Sequence, residues 1–318
     1  MRGDAVARRA YDVITFGDLC VDLIMSGGDI VPRFGQAEQL VDDYALEMGG
    51  SCSIFACQAA KLGLRVAILG RVGDDGFGRL IIERLQGCGV DTRYVAVDPA
   101  LKTGLGVALC QGDDRAILTY LGSICALEPE DVTDEFLASA CHLHHGSFFL
   151  HTGLRPAIPA IFRRARALGL STSLDTNWDP EERWNSTLAE TLTLTDVFLP
   201  NEQEALQVSH QDSLQAAVTW LRDLGIALVA VKEGAGGARL VSNQGIHHCS
   251  LPPAEPGGDS VGAGDSFDAG FLAGWLRDLS LERCLEVACQ CGRSVAGAVG
   301  GLAGQPTWEM VVKGLGID

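Results

Sequence analysis

Short apolar runs alternate with longer amphipathic stretches along most of this chain, and that rhythm restricts the folds open to it. Val13–Gly17, Val66–Gly70, Leu143–Leu150, Ser171–Asp175, Val197–Leu199 and Ala227–Val231 read as buried strands. Between and after them, Ser51–Leu62, Phe77–Gln86, Ala157–Leu168, Leu214–Leu224 and Leu281–Ala298 carry helical spacing; Ile81, Ile82 and Leu85 share one apolar face. A strand–helix–strand rhythm predicts a mostly parallel sheet with helices on both faces. Two segments, near 23–46 and 103–124, break it. The first holds Gly27, Gly28, Pro32 and Gly35, and the second turns at Gln111-Gly112-Asp113-Asp114. Both read as strands and turns that form a small separate sheet. The expectation is one α/β domain over 12–318 with a β appendage, preceded by a frayed tail over 1–11.

Charge narrows the partners. The 318 residues carry a net charge of −17 and only four lysines, so a duplex or an anionic membrane surface would repel the chain. No apolar run reaches the roughly 18 residues of a membrane span. The eleven cysteines show no zinc-type spacing: Cys289 and Cys291 are two apart, Cys52 and Cys57 five apart. The odd count and an N-terminal stretch without a secretory apolar run point to reduced thiols and a cytoplasmic setting.

The chemistry concentrates near the C-terminus. Asp259-Ser260-Val261-Gly262-Ala263-Gly264-Asp265 runs into a helix through Ser266-Phe267-Asp268-Ala269-Gly270. Amides at a glycine-rich turn and a helix start favour an anion, and small residues let it approach the backbone. Asp265 works against that preference. It is either a helix cap or an acid with a task beside the anion, taking a proton from an alcohol next to a phosphate. Gly270 and Gly274 thin the helix for close packing.

This stretch resembles the C-terminal signature of the PfkB (ribokinase-like) carbohydrate kinases. Met48-Gly49-Gly50, Val72-Gly73-Asp74-Asp75-Gly76-Phe77-Gly78, Asp175-Thr176-Asn177-Trp178-Asp179-Pro180 and Leu199-Pro200-Asn201-Glu202-Gln203-Glu204 resemble further segments of that family, in order, over roughly residues 12–305. The resemblance implies a ribokinase-like three-layer α/β/α fold with a β lid. It implies ATP-dependent transfer to a hydroxyl of a small sugar, sugar acid, polyol or nucleoside, and the four lysines with the −17 charge favour a neutral one. Asp265 matches the base, and Gly262, Ala263 and Gly264 the anion hole. Asp18, Asp22, Gly49, Gly50 and Ser53 fall where acceptor hydroxyls are bound. Asn201, Glu204, Lys232, Gly234 and Gly237 fall on the nucleotide side, with Glu204 holding Mg²⁺ through water. Asp259 is the acidic candidate for a monovalent cation such as K⁺. Lid strands of relatives often pair between subunits, which makes a homodimer an expectation.

Local physics offers alternatives at several of these positions. Asn201 and Glu204 also fit a capping box, and Lys232-Glu233-Gly234 fits an ordinary strand-to-turn connection. The chain departs from the family pattern at Ile54, where relatives carry a sugar-binding asparagine, and at Val261 and Cys289. Ile54 and Cys289 keep open a non-catalytic nucleotide- or sugar-binding regulator. A nicotinamide oxidoreductase finds no support, because no glycine cluster completes G-x-G-x-x-G after a strand. Arg71, Arg115 and Arg155 are the cations available to a phosphorylated acceptor.

Overall fold

The computed structural model describes residues 9–316 apart from 28–29, 112–113, 186, 253, 255–257 and 259, with the backbone alone at 114 and 115. Among the described residues nine strands form the main sheet. They are β1 (Tyr11–Phe16), β4 (Val66–Gly73), β5 (Asp91–Asp98), β8 (Ala140–His145), β9 (Ser171–Leu174), β10 (Val197–Phe198), β11 (Leu228–Lys232), β12 (Ala238–Ser242) and β13 (Gly245–Cys249). Their order is β13-β12-β11-β10-β9-β8-β1-β4-β5, parallel from β11 to β5, with an antiparallel hairpin at the β13 edge. A second sheet, ordered β3-β2-β6-β7, joins β2 (Cys20–Ser26), β3 (Asp43–Gly49), β6 (Gly104–Gln111) and β7 (Asp114–Tyr120). It is mixed: β2 and β6 run parallel, the outer pairs antiparallel.

The main sheet is buried on both faces, which explains why its strands read as near-continuous apolar runs. Val13, Val66, Ile68 and Ala230 join one core with α1 (Ser51–Lys61), α2 (Gly76–Gly87), α8 (Ala263–Trp275), α9 (Leu281–Ala296) and α10 (Trp308–Leu315). Their neighbours Ile14, Ala67, Leu69, Val229 and Val231 join the other core. There they meet α3 (Asp134–Ala138), α4 (Ile158–Ala167), α5 (Leu188–Leu192), α6 (Glu202–Ser209) and α7 (Leu214–Asp223). The strand period of two thus sorts side chains between the two helix layers. The expected glycine-thinned helix is realised in α8: a Cβ on Gly270 would stand 2.9 Å from Ala288 Cα, and one on Gly274 3.1 Å from Cys284 Cα. Those two glycines let α8 lie backbone against backbone on α9.

Several boundaries differ from the sequence reading. Tyr11 opens β1 and the Arg9 guanidinium donates to Leu168 O at 2.7 Å, so ordered chain begins inside the stretch read as a tail. The run expected as strand to Leu150 leaves the sheet after His145. Ser147 there takes a left-handed φ of 52°. Strands β5, β12 and β13 carry many polar residues and lacked an apolar signal. Four histidines, His142, His144, His145 and His151, lie in the core. Burial holds the imidazoles of His142, His145 and His151 down near 3, and His142 is satisfied by Ser171 Oγ at 2.8 Å and Ser173 Oγ at 2.7 Å.

Candidate active site

The chain runs from β1 to β4 and β5 on one side, then returns to β8 on the other. The strand order therefore reverses between β1 and β8. In open α/β sheets ligands bind outside the strand C-termini at such a reversal. The loops there carry Gly17-Asp18 after β1, Gly146-Ser147 after β8, Asp175 and Asn177 after β9, Asn201 after β10, and Lys232 at the end of β11.

Helix α8 points its N-terminus at this edge. Ser260 and Gly262 adopt φ of 55° and 72°, and no side chain caps the helix. A Cβ on Gly262 would stand 2.8 Å from Gly301 Cα and 2.9 Å from Ile54 Cγ2, so both conformation and space demand glycine. Gly262, Ala263 and Gly264 thus open the helix as an uncapped, small-residue start, the arrangement that suits an anion. Asp265 follows in the first turn and is 8% exposed. Its Oδ1 accepts a hydrogen bond from Ser51 Oγ at the start of α1. Burial pushes the Asp265 carboxyl up to about 7; Asp175 and Asp18 add to the rise, while the Ser51 hydroxyl and Lys232 oppose it.

Asp18 lines the cavity and also has a structural task. Its Oδ2 accepts from Ser51 N at 2.8 Å and Ser147 Oγ at 2.8 Å, and its Oδ1 from Cys52 N at 3.0 Å. The carboxylate holds the first amides of α1, and so places Ser51 against Asp265. Ser53 is displaced from its expected role. Its hydroxyl is fully buried, donates to Gly49 O, and faces the carbonyls of Asp18 and Gly50. Ser51, two residues earlier, is the serine on the cavity wall.

Lys232 is committed as well. Its ammonium lies 2.6 Å from Asp175 Oδ2 and 3.2 Å from Asp268 Oδ1, within a buried cluster. It is therefore an internal counter-ion rather than a group free for a phosphate, and its proton is held more tightly than usual by Asp175 and Asp268 against burial. Lys232 Nζ would stand 3.5 Å from a Cβ on Gly264, which places it under the anion turn. Asp268 was missed by sequence reasoning; its position one turn after Asp265 was the available signal. Its Oδ2 is buried without a hydrogen-bond partner, and burial raises its carboxyl well above the usual range.

Asn201 and Glu204 form the capping box of α6: Glu204 N donates to Asn201 Oδ1 and Asn201 N to Glu204 Oε2, both at 2.8 Å. The box does not exhaust Glu204, whose carboxyl is raised to about 7 by burial and by Asp175. Two buried carboxylates that feel each other beside an anion turn suit a hard cation carried on phosphates and held through water. Among the described residues no cluster of three or more His, Cys, Asp or Glu could form a metal cage. Asp259, expected beside a monovalent cation, lies outside the described residues. Gly234 and Gly237 shape the β11–β12 turn with φ of 56° and 96°. A Cβ on Gly237 would lie 2.0 Å from Cys249 O.

A cavity of about 180 Å³ lies between the α8 turn and the second sheet. Asp18, Asp22, Gly50, Ser51, Ser147, Asn177, Gly262 and Asp265 contribute to its lining. Asp22 of β2 is seated between two glycines: a Cβ on Gly49 would stand 2.3 Å from its Cγ, and one on Gly106 2.5 Å from its Oδ1. Among the described residues no lysine, arginine or histidine lines the cavity. Arg71 pairs with Asp131 at 2.7 Å, Arg155 donates to Phe149 O at 3.4 Å, and the side chain of Arg115 is outside the described set. A second depression, of about 370 Å³, is lined by Arg166, Gly169, Ser171, Asp196 and Trp275 and shares no residue with this one.

This geometry can be set beside known proteins. A model of the pfkB family carbohydrate kinase matches residues 11–308. An "ATP-dependent ribose-1-phosphate kinase" of Halopiger xanaduensis is 33% identical over 79% of this chain and 81% of its own length. A "5-dehydro-2-deoxygluconokinase" of Geobacillus kaustophilus is 27% identical over 88% of this chain and 86% of its own. Among solved structures, a putative Ribokinase II of E. coli in complex with ATP and Mg²⁺ superimposes with a TM-score of 0.86. It is 25% identical, over 96% of this chain and 99% of that one. The second sheet corresponds to the lid of that ribokinase-like fold, and the uncapped α8 turn with its buried acid belongs to a phosphotransferase that acts on an alcohol group. The chain is a member of the pfkB family of carbohydrate kinases.

Proposed function

We propose that this protein transfers the γ-phosphoryl group of ATP to a hydroxyl of a small neutral sugar, polyol or nucleoside. The observation that carries this reading is Asp265: a buried acid, held by Ser51, in the first turn of an uncapped helix and on the wall of the cavity under the second sheet. A general base works best with a pKa near the operating pH, and burial puts Asp265 there. Ser51 binds Oδ1 and leaves Oδ2 for the acceptor hydroxyl. The α8 amides face the charge that builds on the transferring phosphoryl group, where fixed dipoles act most strongly. Mg²⁺, carried on the nucleotide and held through water by Glu204 and Asp175, would neutralise phosphate charge. The lid keeps water from competing as acceptor.

Neutrality rests on the lining. Asp18, Asp22 and Asp265 line the cavity with no lysine, arginine or histidine among the described lining residues, a setting that disfavours a phosphorylated acceptor, although the Halopiger relative is named for one. Self-association through the lid belongs to the same reading. Its edge strands expose Tyr44 (68%) on β3 and Leu118 (63%) on β7, and edges of that kind are covered in stable proteins.

An ADP-release screen over neutral sugars, polyols, nucleosides and sugar phosphates tests the proposal. ADP release stimulated by a neutral acceptor is the expected result. Binding without ADP release from any acceptor, or stimulation by phosphorylated acceptors alone, would overturn it.

A further inference from the structure

Part of the cavity wall is the aliphatic side chain of Ile54, and it stands beside the reacting groups. Ile54 lies three residues after Ser51 on α1, so both side chains share the helix face that meets the cavity. Ile54 Cγ2 packs on Gly262 of the anion turn and its Cδ1 on Gly301, where a Cβ would stand only 2.6 Å away. The side chain is 2% exposed and wedged between two backbone turns, so it cannot swing aside to admit a polar partner. Ile117 and Ile124 from the lid side extend this apolar surface. The neighbouring polar side chains are already engaged: Ser51 donates to Asp265, Ser147 Oγ to Asp18, and Asn177 Oδ1 accepts from Ser147 N.

We propose that the acceptor is a deoxy sugar or deoxy polyol, with a methylene or methyl carbon in place of a hydroxyl-bearing carbon where it meets Ile54. The inference rests on the sugar-kinase reading above and narrows its substrate class. A hydroxyl pressed on Ile54 would lose its water and gain no hydrogen bond from that side chain, whereas a methylene gains contact with the isoleucine. A cavity of about 180 Å³, smaller than the roughly 300 Å³ at which drug-sized ligand sites begin, suits a monosaccharide.

Matched pairs of neutral acceptors, each parent sugar with its monodeoxy counterpart, provide the test. Binding is measured by calorimetry with a non-hydrolysable ATP analogue, so the readout does not require turnover; phosphorylation of the same pairs is followed separately. The deoxy member of at least one pair should bind about tenfold or more tightly than its parent, ~1.4 kcal/mol. Ile54→Asn should erase or invert that ratio, and Ile54→Thr, close in size, should reduce it if the asparagine variant folds poorly. Parent sugars that bind as well as their deoxy partners throughout, a ratio unchanged in both variants, or binding of no member of any pair would each overturn the inference. A deoxy preference in binding with no phosphorylation would sustain it while sinking the kinase reading.

Discussion

Lys232, the last residue of β11, holds Asp268 of α8 at 3.2 Å while gripping Asp175 after β9 at 2.6 Å. One ammonium thereby ties two parallel strands of the sheet to the helix that carries Asp265. Replacing Lys232 by Met would leave two buried carboxylates without their cation. Breaking a buried pair from one side costs about 3–5 kcal/mol. Lys232→Met is expected to lose stability of that order in urea unfolding, and Lys232→Arg clearly less. If the Met variant matched the parent, the cluster would not be an internal tether.

The pH dependence of kcat/KM reports the base. Burial raises the Asp265 carboxyl to about 7, and the carboxylate is the active form, so activity should rise with pH through about 7 and level off above it. Ser51 donates to the charged form and so opposes the rise. Ser51→Ala is expected to move the midpoint to higher pH and to lower kcat. An unchanged midpoint would remove Ser51 from the account.

The same shift has a stability consequence of opposite sign. Asp265 binds its proton more tightly folded than unfolded, where the usual value is 3.8. Its contribution to stability is therefore intact below pH 3.8 and lost as pH rises through 7. Asp265→Asn removes that loss. The variant should be more stable than the parent at pH 8, by about 1–4 kcal/mol with each pKa unit equal to ~1.4 kcal/mol, and similar to it at pH 4. Thermal unfolding at the two pH values reads the difference directly.

Gly262 tests the anion turn without touching an ionisable group. Its φ of 72° disfavours a side chain, and a Cβ would meet Gly301 and Ile54. Gly262→Ala should cost about 1–2 kcal/mol from conformation alone, with overlap added. It should also cut kcat by displacing the α8 amides. A fully active alanine variant would show that the turn does not position the reaction.

Much of this architecture was legible because the signals were local. The paired apolar runs gave the parallel strands, and Gly270 and Gly274 marked α8 as closely packed, though not α9 as its partner. Strands β5, β12 and β13 escaped because their exposed or edge positions tolerate polar residues. At the site, sequence placed Asp265, Gly262 and Asp22 on the cavity that the fold builds. It could not say which of several nearby polar groups would be spent internally. Asp18 and Ser53 are consumed by the start of α1, and Lys232 by Asp175 and Asp268. The commitments of Asp18 and Lys232 depend on residues more than thirty positions apart, and no local pattern encodes them, whereas Ser53 is spent on Gly49 O one helical turn back.

The central claim is that Asp265 takes the acceptor's proton. Single-turnover phosphorylation of the best acceptor from the screen, compared for the parent and Asp265→Asn with ATP affinity measured in parallel, tests it most directly. The account predicts a fall in rate of about 10²–10⁴ with ATP binding retained. A rate within a few-fold of the parent's would contradict it.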